Sequence, residues 1–391
     1  LKVIKNWWFK VLKVIIKSLI LFILGILLII NGFYLTSKVY DFPVLEPFSG
    51  GFIHNPYQNI SDLTQYRGNF HAHSVAWKGI TDGNETEEDV FNAYVNQGYD
   101  IPSISNYHNI SRYGEDKEYI YIPTYEHGYN IRKSHLLAID AEKVSFYDFF
   151  FKQSSSQKQQ IINHLRSKAS IVALAHPAYW QSRSEQDMKH LVNYELTEIL
   201  NHNKDSEEYW DYGLSTGRLT WCLGDDDTHG IDKEPTFMRW NMIFGKKRDK
   251  VSILNALKKG QHYSVFSPEN KLKVQLISCL MTDSMTFEVQ LSEEVEDIYF
   301  IGQNGQIKDQ SGPGYKAFYS FTPEDTYIRV VVHHLDGKMF LNPLVRYDGL
   351  QVPLNTLNKA TVNNLKTWGQ RGLFLIPLLL LIFLARWTIK F

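Results

Sequence analysis

The spacing of apolar positions changes several times along this chain, and each spacing predicts a different element. Residues 1–17 set Lys2, Lys5, Lys10, Lys13 and Lys17 among Val3, Ile4, Trp7, Trp8, Val11, Leu12, Ile15 and Ile16. That pattern predicts a basic amphipathic helix at a membrane interface. Residues 18–35 are apolar except for Ser18, Gly25, Asn31 and Gly32. At about 1.5 Å per residue such a run covers about 27 Å, close to the hydrocarbon thickness, so a transmembrane helix is expected over 18–36. A cleaved signal peptide is the alternative. The run ends in Asn31-Gly32-Phe33-Tyr34-Leu35-Thr36 rather than in a small-residue cleavage site, which favours an uncleaved anchor. The lysines ahead of it predict a cytoplasmic N-terminus and an extracytoplasmic body.

At the far end, residues 373–385 are uncharged and apolar but for Pro377, between Arg371 and Arg386. Trp368, Trp387, Ile389 and Phe391 extend the apolar reach. A second transmembrane helix over 371–389 is expected, with a buried core helix as the alternative.

Between these ends, β-like runs at 66–72, 101–105, 119–125, 135–140, 170–175, 196–200 and 218–223 alternate with helical patterns at 86–97, 156–168 and 251–259. Thr86 reads as a cap ahead of Glu87 and Glu88, and Gly98 and Gly260 as stops. This alternation predicts a parallel sheet, open or closed into a barrel, with ligands collecting where strands end. After Pro268 the period becomes two: Leu272, Val274 and Leu276 alternate with Lys271, Lys273 and Gln275. Asn304-Gly305 and Asp336-Gly337 are hairpin signals, so a small β-sandwich is expected over 269–350, followed by a polar linker over 351–370.

A chain of 391 residues can bury a large core and hold two domains between its anchors. Lys+Arg (41) and Asp+Glu (42) balance, so no basic field points to specific nucleic-acid binding. Cys222 and Cys279 lack metal-binding spacing and are expected as buried thiols or one disulfide. A metal site here would use histidine and carboxylate.

Such residues gather at the strand ends. His71 and His73 close the first run, and side chains two apart on a strand share a face. Asp82 lies in the turn that follows. His108 follows the second run, Glu126 ends the third, His135 opens the fourth, His176-Pro177 ends the fifth, and Asp225-Asp226-Asp227-Thr228-His229 ends the last. Six strand ends carrying His, Glu or Asp point to a metal centre rather than to scattered core histidines.

Four of these groups, His71-Ala72-His73, His108, His176-Pro177 and Asp227-Thr228-His229, resemble the motifs of the PHP (polymerase and histidinol phosphatase) metallohydrolase family. The resemblance spans 67–268. It implies a seven-stranded βα barrel, a distorted TIM-like fold, around two to three divalent ions (zinc, manganese or iron). Carried over, one metal takes His71, His73, Glu126 and Asp227, and a second shares Glu126 and adds His135 and His176. A third takes Asp82, His108 and His229. Two departures stand out: Tyr107 replaces the family's aspartate before the motif-two histidine, and the roles of Asp225 and Asp226 stay open. The β-domain behind the barrel resembles the membrane-anchored CehA/McbA-like branch.

The activity implied is phosphoester hydrolysis by a metal-bridging hydroxide. Glu126 and Asp227 stand at its centre, and Arg112 and Arg239 are candidates to hold phosphate charge. Ordinary surface arginine is the alternative for both. His127 reads as a proton donor or a structural residue. Fold and metals do not fix the substrate, so a hydrolase of another ester or carbamate, or a non-catalytic metal-binding envelope module, stays open. The paired anchors add the expectation of an envelope- or lipid-linked phosphoester.

Overall fold

A computed structural model describes residues 2–80 and 83–390, with 2–6 as backbone only. One helix, Lys2–Leu35, takes in both the basic segment and the apolar run, and a second, Asn364–Lys390, closes the chain. Both are long and apolar enough to cross a membrane. They pack antiparallel. Lys17 Nζ donates to the Ile389 carbonyl (2.8 Å), and the rings of Tyr34 and Phe374 lie 5.4 Å apart.

Where the helices leave each other, the chain ends are sewn together. Tyr40–Asp41 pairs antiparallel with Thr361–Val362, and the Val39 N–H donates to Thr367 Oγ1 (3.0 Å). Asn363 Oδ1 accepts the Lys366 N–H (2.9 Å) and caps the C-terminal helix, which therefore begins inside the stretch expected as linker.

The body between the helices is mixed α/β. One five-stranded sheet runs Thr124–His127, Leu136–Ala141, Ala169–Leu174, Leu196–Leu200, Trp221–Gly224, with its first two pairings antiparallel and its last two parallel. A larger sheet starts at Ile101–Pro102 and passes through Thr64–Asn69, Arg239–Gly245 and His262–Phe266 into Gly337–Leu341 and Tyr327–His334. It ends at Asp297–Gly302 and Gln306–Gln310. The pairing of His262–Phe266 with Gly337–Leu341 carries one ladder across position 268. The three strands Leu276–Met281, Thr286–Val295 and Gly314–Ser320 cover that half, and Phe287, Phe300 and Tyr319 join a common core. Phe52–His54, outside the expected strands, pairs with Leu344–Tyr347.

The expected seven-stranded barrel does not close. Closure would need a ladder between the first strand and the last. Instead, Thr64–Asn69 spends that edge on antiparallel pairing with Arg239–Gly245, Gly68 lying opposite Asn241. The Asn241 side chain then accepts the Gly224 N–H (2.9 Å) and donates to the Gly224 carbonyl (2.8 Å). A side-chain amide thus satisfies backbone groups that a closing strand would have paired. The two sheets touch through isolated bridges at Ala72–Thr228 and Tyr107–Glu126, both at the strand ends that carry the histidines.

Local signals fare better. Thr86 caps Glu87–Asn96 in a capping box with Asp89, and Gly260, at φ +72°, ends Lys250–Lys259. Both cysteines are free and buried.

Candidate metal centre

Beyond Thr64–Asn69 the chain stays extended, with Ala72 bonded to Ser105 on one side and its neighbours to the 225–228 segment on the other. The Phe70 N–H donates to Asp225 Oδ1 (2.8 Å), the Asp227 N–H to the His71 carbonyl (2.8 Å), and the His73 N–H to the Thr228 carbonyl (2.8 Å). These bonds turn both imidazoles inward. His71 Nε2 lies 3.3 Å from Glu126 Oε2 and 3.1 Å from Asp227 Oδ1, and His73 Nε2 lies 3.2 and 3.3 Å from the same atoms. All four ligand atoms are buried and none has a hydrogen-bond partner. Four orphaned donor atoms converging on one point fit a cation better than any protein contact.

Glu126 turns its other oxygen the opposite way. Oε1 lies 2.5 Å from His135 Nδ1 and 3.1 Å from His176 Nε2, forming a second candidate ligand group with these residues. One carboxylate therefore serves two adjacent groups through separate oxygens. An imidazole, with one inward lone pair, cannot do this.

Outer contacts orient the ligands. Glu198 Oε1 pairs with His71 Nδ1 (2.9 Å), which leaves Nε2 facing inward, and Glu198 Oε2 accepts the His176 N–H (2.5 Å). Asp227 Oδ2 accepts from the side-chain amides of Asn201 and Asn203 (3.0 Å each), so only Oδ1 faces the cluster. His176 (φ +30°) and Asp227 (φ +51°) sit in left-handed backbone, strain held where the ligands are aimed.

The neighbouring acids have other work. Asp226 accepts the Phe237, Met238 and Arg239 N–H groups and the Tyr94 hydroxyl. Asp225 Oδ1 holds Phe70 and the Asn241 amide.

Charge follows from this packing. Burial opposes protonation of His71, but Asp227, Glu126 and Glu198 outweigh it and hold the imidazole well above its usual range. Burial would raise Glu126, yet His135 and His71 draw it well below the usual carboxylate range. Asp227 is likewise drawn well below that range, His71 and His73 overcoming burial. Burial brings His135 down to about 4 despite Glu126, and His229 to about 4 with the help of His73. Two carboxylates with imidazoles suit zinc, manganese or iron.

Of the expected ligands, the structure gathers His71, His73, Glu126, Asp227, His135 and His176. Asp82 lies outside the described residues. His229 stacks on His73 (ring centroids 4.1 Å apart) at the edge of the cluster, its Nε2 3.5 Å from the Tyr107 hydroxyl.

His108 is turned away from the cluster. Its Nδ1 pairs with the Ser145 carbonyl (2.8 Å), its Nε2 accepts the Gly128 N–H (3.1 Å), and its ring stacks on Phe146. Tyr107 stands beside the cluster instead, its ring 4.6 Å from that of His73. Arg112 is exposed and paired with Glu115 (3.1 Å). Arg239 is buried with its guanidinium 4.9 Å from the Phe266 ring centroid. Neither arginine lines the cleft over the ligands. His127 bonds the Tyr147 carbonyl (3.1 Å).

That cleft, about 300 Å³, is lined by Tyr107, Lys133, Tyr179, His202, Asn203 and His229 among others. Lys133, His202 and Asn203 were not expected from the sequence, nor were Glu198 and Asn201. Glu198 had left a signal: it is the one charge inside the apolar run Leu196-Thr197-Glu198-Ile199-Leu200.

No protein-family profile matches the chain, and no curated protein matches it. One solved structure is similar, a two-domain protein from Bacteroides vulgatus described as containing a predicted PHP-like metal-dependent phosphoesterase. The match covers 81% of this chain and 98% of that one, at 12% identity and a TM-score of 0.40. Similarity at that level assigns neither family nor activity to this chain.

Proposed function

We propose that this protein is a metal-dependent hydrolase of phosphoesters that holds two divalent ions. The observation that carries the reading is Glu126, whose two oxygens face two separate groups of buried, inward-turned ligands. His71, His73 and Asp227 would complete one site, His135 and His176 the other. Paired divalent ions supply an activated water near neutral pH and offset phosphate charge. A third site is not part of this reading, since both nitrogens of His108 are engaged elsewhere.

The remaining chemistry belongs to the cleft. Lys133 supplies a cation that a phosphate needs and a neutral ester does not. His202 donates Nδ1–H to the Asp226 carbonyl (2.6 Å), which leaves Nε2 toward the cleft. His229 is neutral at pH 7, its Nδ1 faces the Asp227 carbonyl (3.1 Å), and its Nε2 is positioned to accept from the Tyr107 hydroxyl. That pair can hold a proton at Tyr107 Oη for a departing alkoxide.

The test uses full-length protein purified in detergent. Elemental analysis should give two metals per chain, and Glu126→Gln should leave fewer than one. The native protein should hydrolyse phosphomonoesters or phosphodiesters and lose that activity to chelators. Hydrolysis of carboxylic esters alone, or full activity without metal, would overturn the assignment.

A further inference from the structure

The segment 146–151, Phe-Tyr-Asp-Phe-Phe-Phe, is fastened to the point where the N-terminal helix ends. Tyr34 Oη accepts the Phe151 N–H (2.9 Å), the Tyr34 ring meets Phe149 at 5.5 Å, and Thr36 Oγ1 and Tyr147 Oη lie 2.8 Å apart. From this mount three rings face outward: Phe146, Phe150 and Phe151 are 56%, 39% and 46% exposed.

Trp77, Tyr129 and Ile131 enlarge the patch. The Trp77 ring lies 6.1 Å from Phe146, Tyr129 Oη donates to the Phe146 carbonyl (3.2 Å), and the Ile131 N–H donates to the Phe150 carbonyl (2.9 Å). Soluble surfaces seldom leave so many large apolar side chains together. Aromatic rings beside a helix end are characteristic of the layer between hydrocarbon and headgroups. Arg132, Lys133 and Lys152, next to the patch in sequence, add cations suited to anionic headgroups.

The patch also borders the cleft. Trp77 Nε1 donates to the Tyr107 carbonyl (2.8 Å), and Lys133 follows Ile131 by two residues; Tyr107 and Lys133 both line the cleft. We infer that the 146–151 segment with Trp77, Tyr129 and Ile131 seats in the headgroup layer, and that the cleft takes a phosphoester carried by a membrane lipid. The substrate part rests on the hydrolase reading above. The surface part rests on the helices crossing the bilayer.

Cys222 and Cys279 are buried, so a nitroxide can be directed to Phe150→Cys in the full-length chain. In phosphatidylethanolamine–phosphatidylglycerol vesicles, the label at 150 should collide preferentially with oxygen. A label at Leu335→Cys, an 83% exposed position on a hairpin of the large sheet, should collide with a water-soluble nickel chelate. Equal nickel accessibility at both positions would overturn the surface, whatever the enzyme does.

For the substrate, Phe146→Ser/Phe150→Ser should lower kcat/KM on phosphatidic acid in those vesicles about tenfold while sparing a soluble chromogenic phosphomonoester. An equal fall on both substrates would overturn the lipid assignment. An immersed label on a protein inactive toward both would remove the hydrolase reading and the substrate class together, and leave the surface standing.

Discussion

Glu126 shows how much one side chain can organise: each oxygen commits a different set of histidines, and Glu198 sets two of those in turn. Glu198 touches the Nδ1 of His71 and the backbone N–H of His176, one residue from each ligand group. Glu198→Gln keeps an acceptor but loses the charge. Metal affinity measured by chelator competition should fall about 10- to 100-fold.

A second prediction follows from His71. In the metal-free protein, burial is outweighed by Asp227, Glu126 and Glu198, so the His71 imidazole holds its proton to higher pH than a free one. A cation needs the Nε2 lone pair, so binding must expel that proton, and affinity should rise with pH up to the raised value. Calorimetric titration in two buffers of different ionisation enthalpy should report net proton release on binding, from His71 and from His73, where burial is likewise outweighed by Asp227 and Glu126.

At this scale the sequence was legible where a His or Glu closes a β-like run, as with His71, His73, Glu126 and His176, which the structure gathers into buried clusters. It was not legible at Tyr107-His108. Adjacent side chains on an extended segment face opposite ways, and the pattern cannot say which one looks inward. The backbone decides: at φ +47° His108 swings onto Phe146, and Tyr107 takes the inner place.

The helices with clear caps could be read because capping is local, Thr86 and Gly260 acting within one turn of the residues they serve, whereas the short helices Glu185–His190 and Glu207–Leu214 were not read. Sheet order is not local. Thr64–Asn69 lies between Ile101–Pro102 and Arg239–Gly245, the latter far along the chain, and no periodicity marks which edge a strand will use. The barrel expectation failed there, and Asn241 is the residue that stabilises the open arrangement. Asn241→Leu keeps the volume but leaves the Gly224 N–H and carbonyl buried without partners. Urea unfolding in detergent should show a loss of about 3 kcal/mol, from unsatisfied groups rather than from lost apolar packing.

For the whole molecule, both apolar helices were evident from composition, but the way they join the body was not. Residues 351–370 read only as a polar linker. Pairing of Thr361–Val362 with Tyr40–Asp41, which no local pattern announces, fastens the end of that stretch to the chain leaving the first helix. We propose the orientation that the N-terminal lysines favour, with the body outside the cytoplasm. Protease added to cells stripped of any outer wall should then cut between 41 and 361. Protection until lysis would reverse the orientation.

The antiparallel clasp at Tyr40–Asp41 has a consequence for shedding. A body hung from one helix is freed by a single cut in its stalk. Here each end of the body continues into its own apolar helix; if both helices cross the bilayer as proposed, a nick in a surface loop yields two fragments that both stay attached, still held to each other by the shared sheets. Release into the medium then takes two cuts, one on each chain leading from the clasp into the body, where Val44 and Leu350 are exposed.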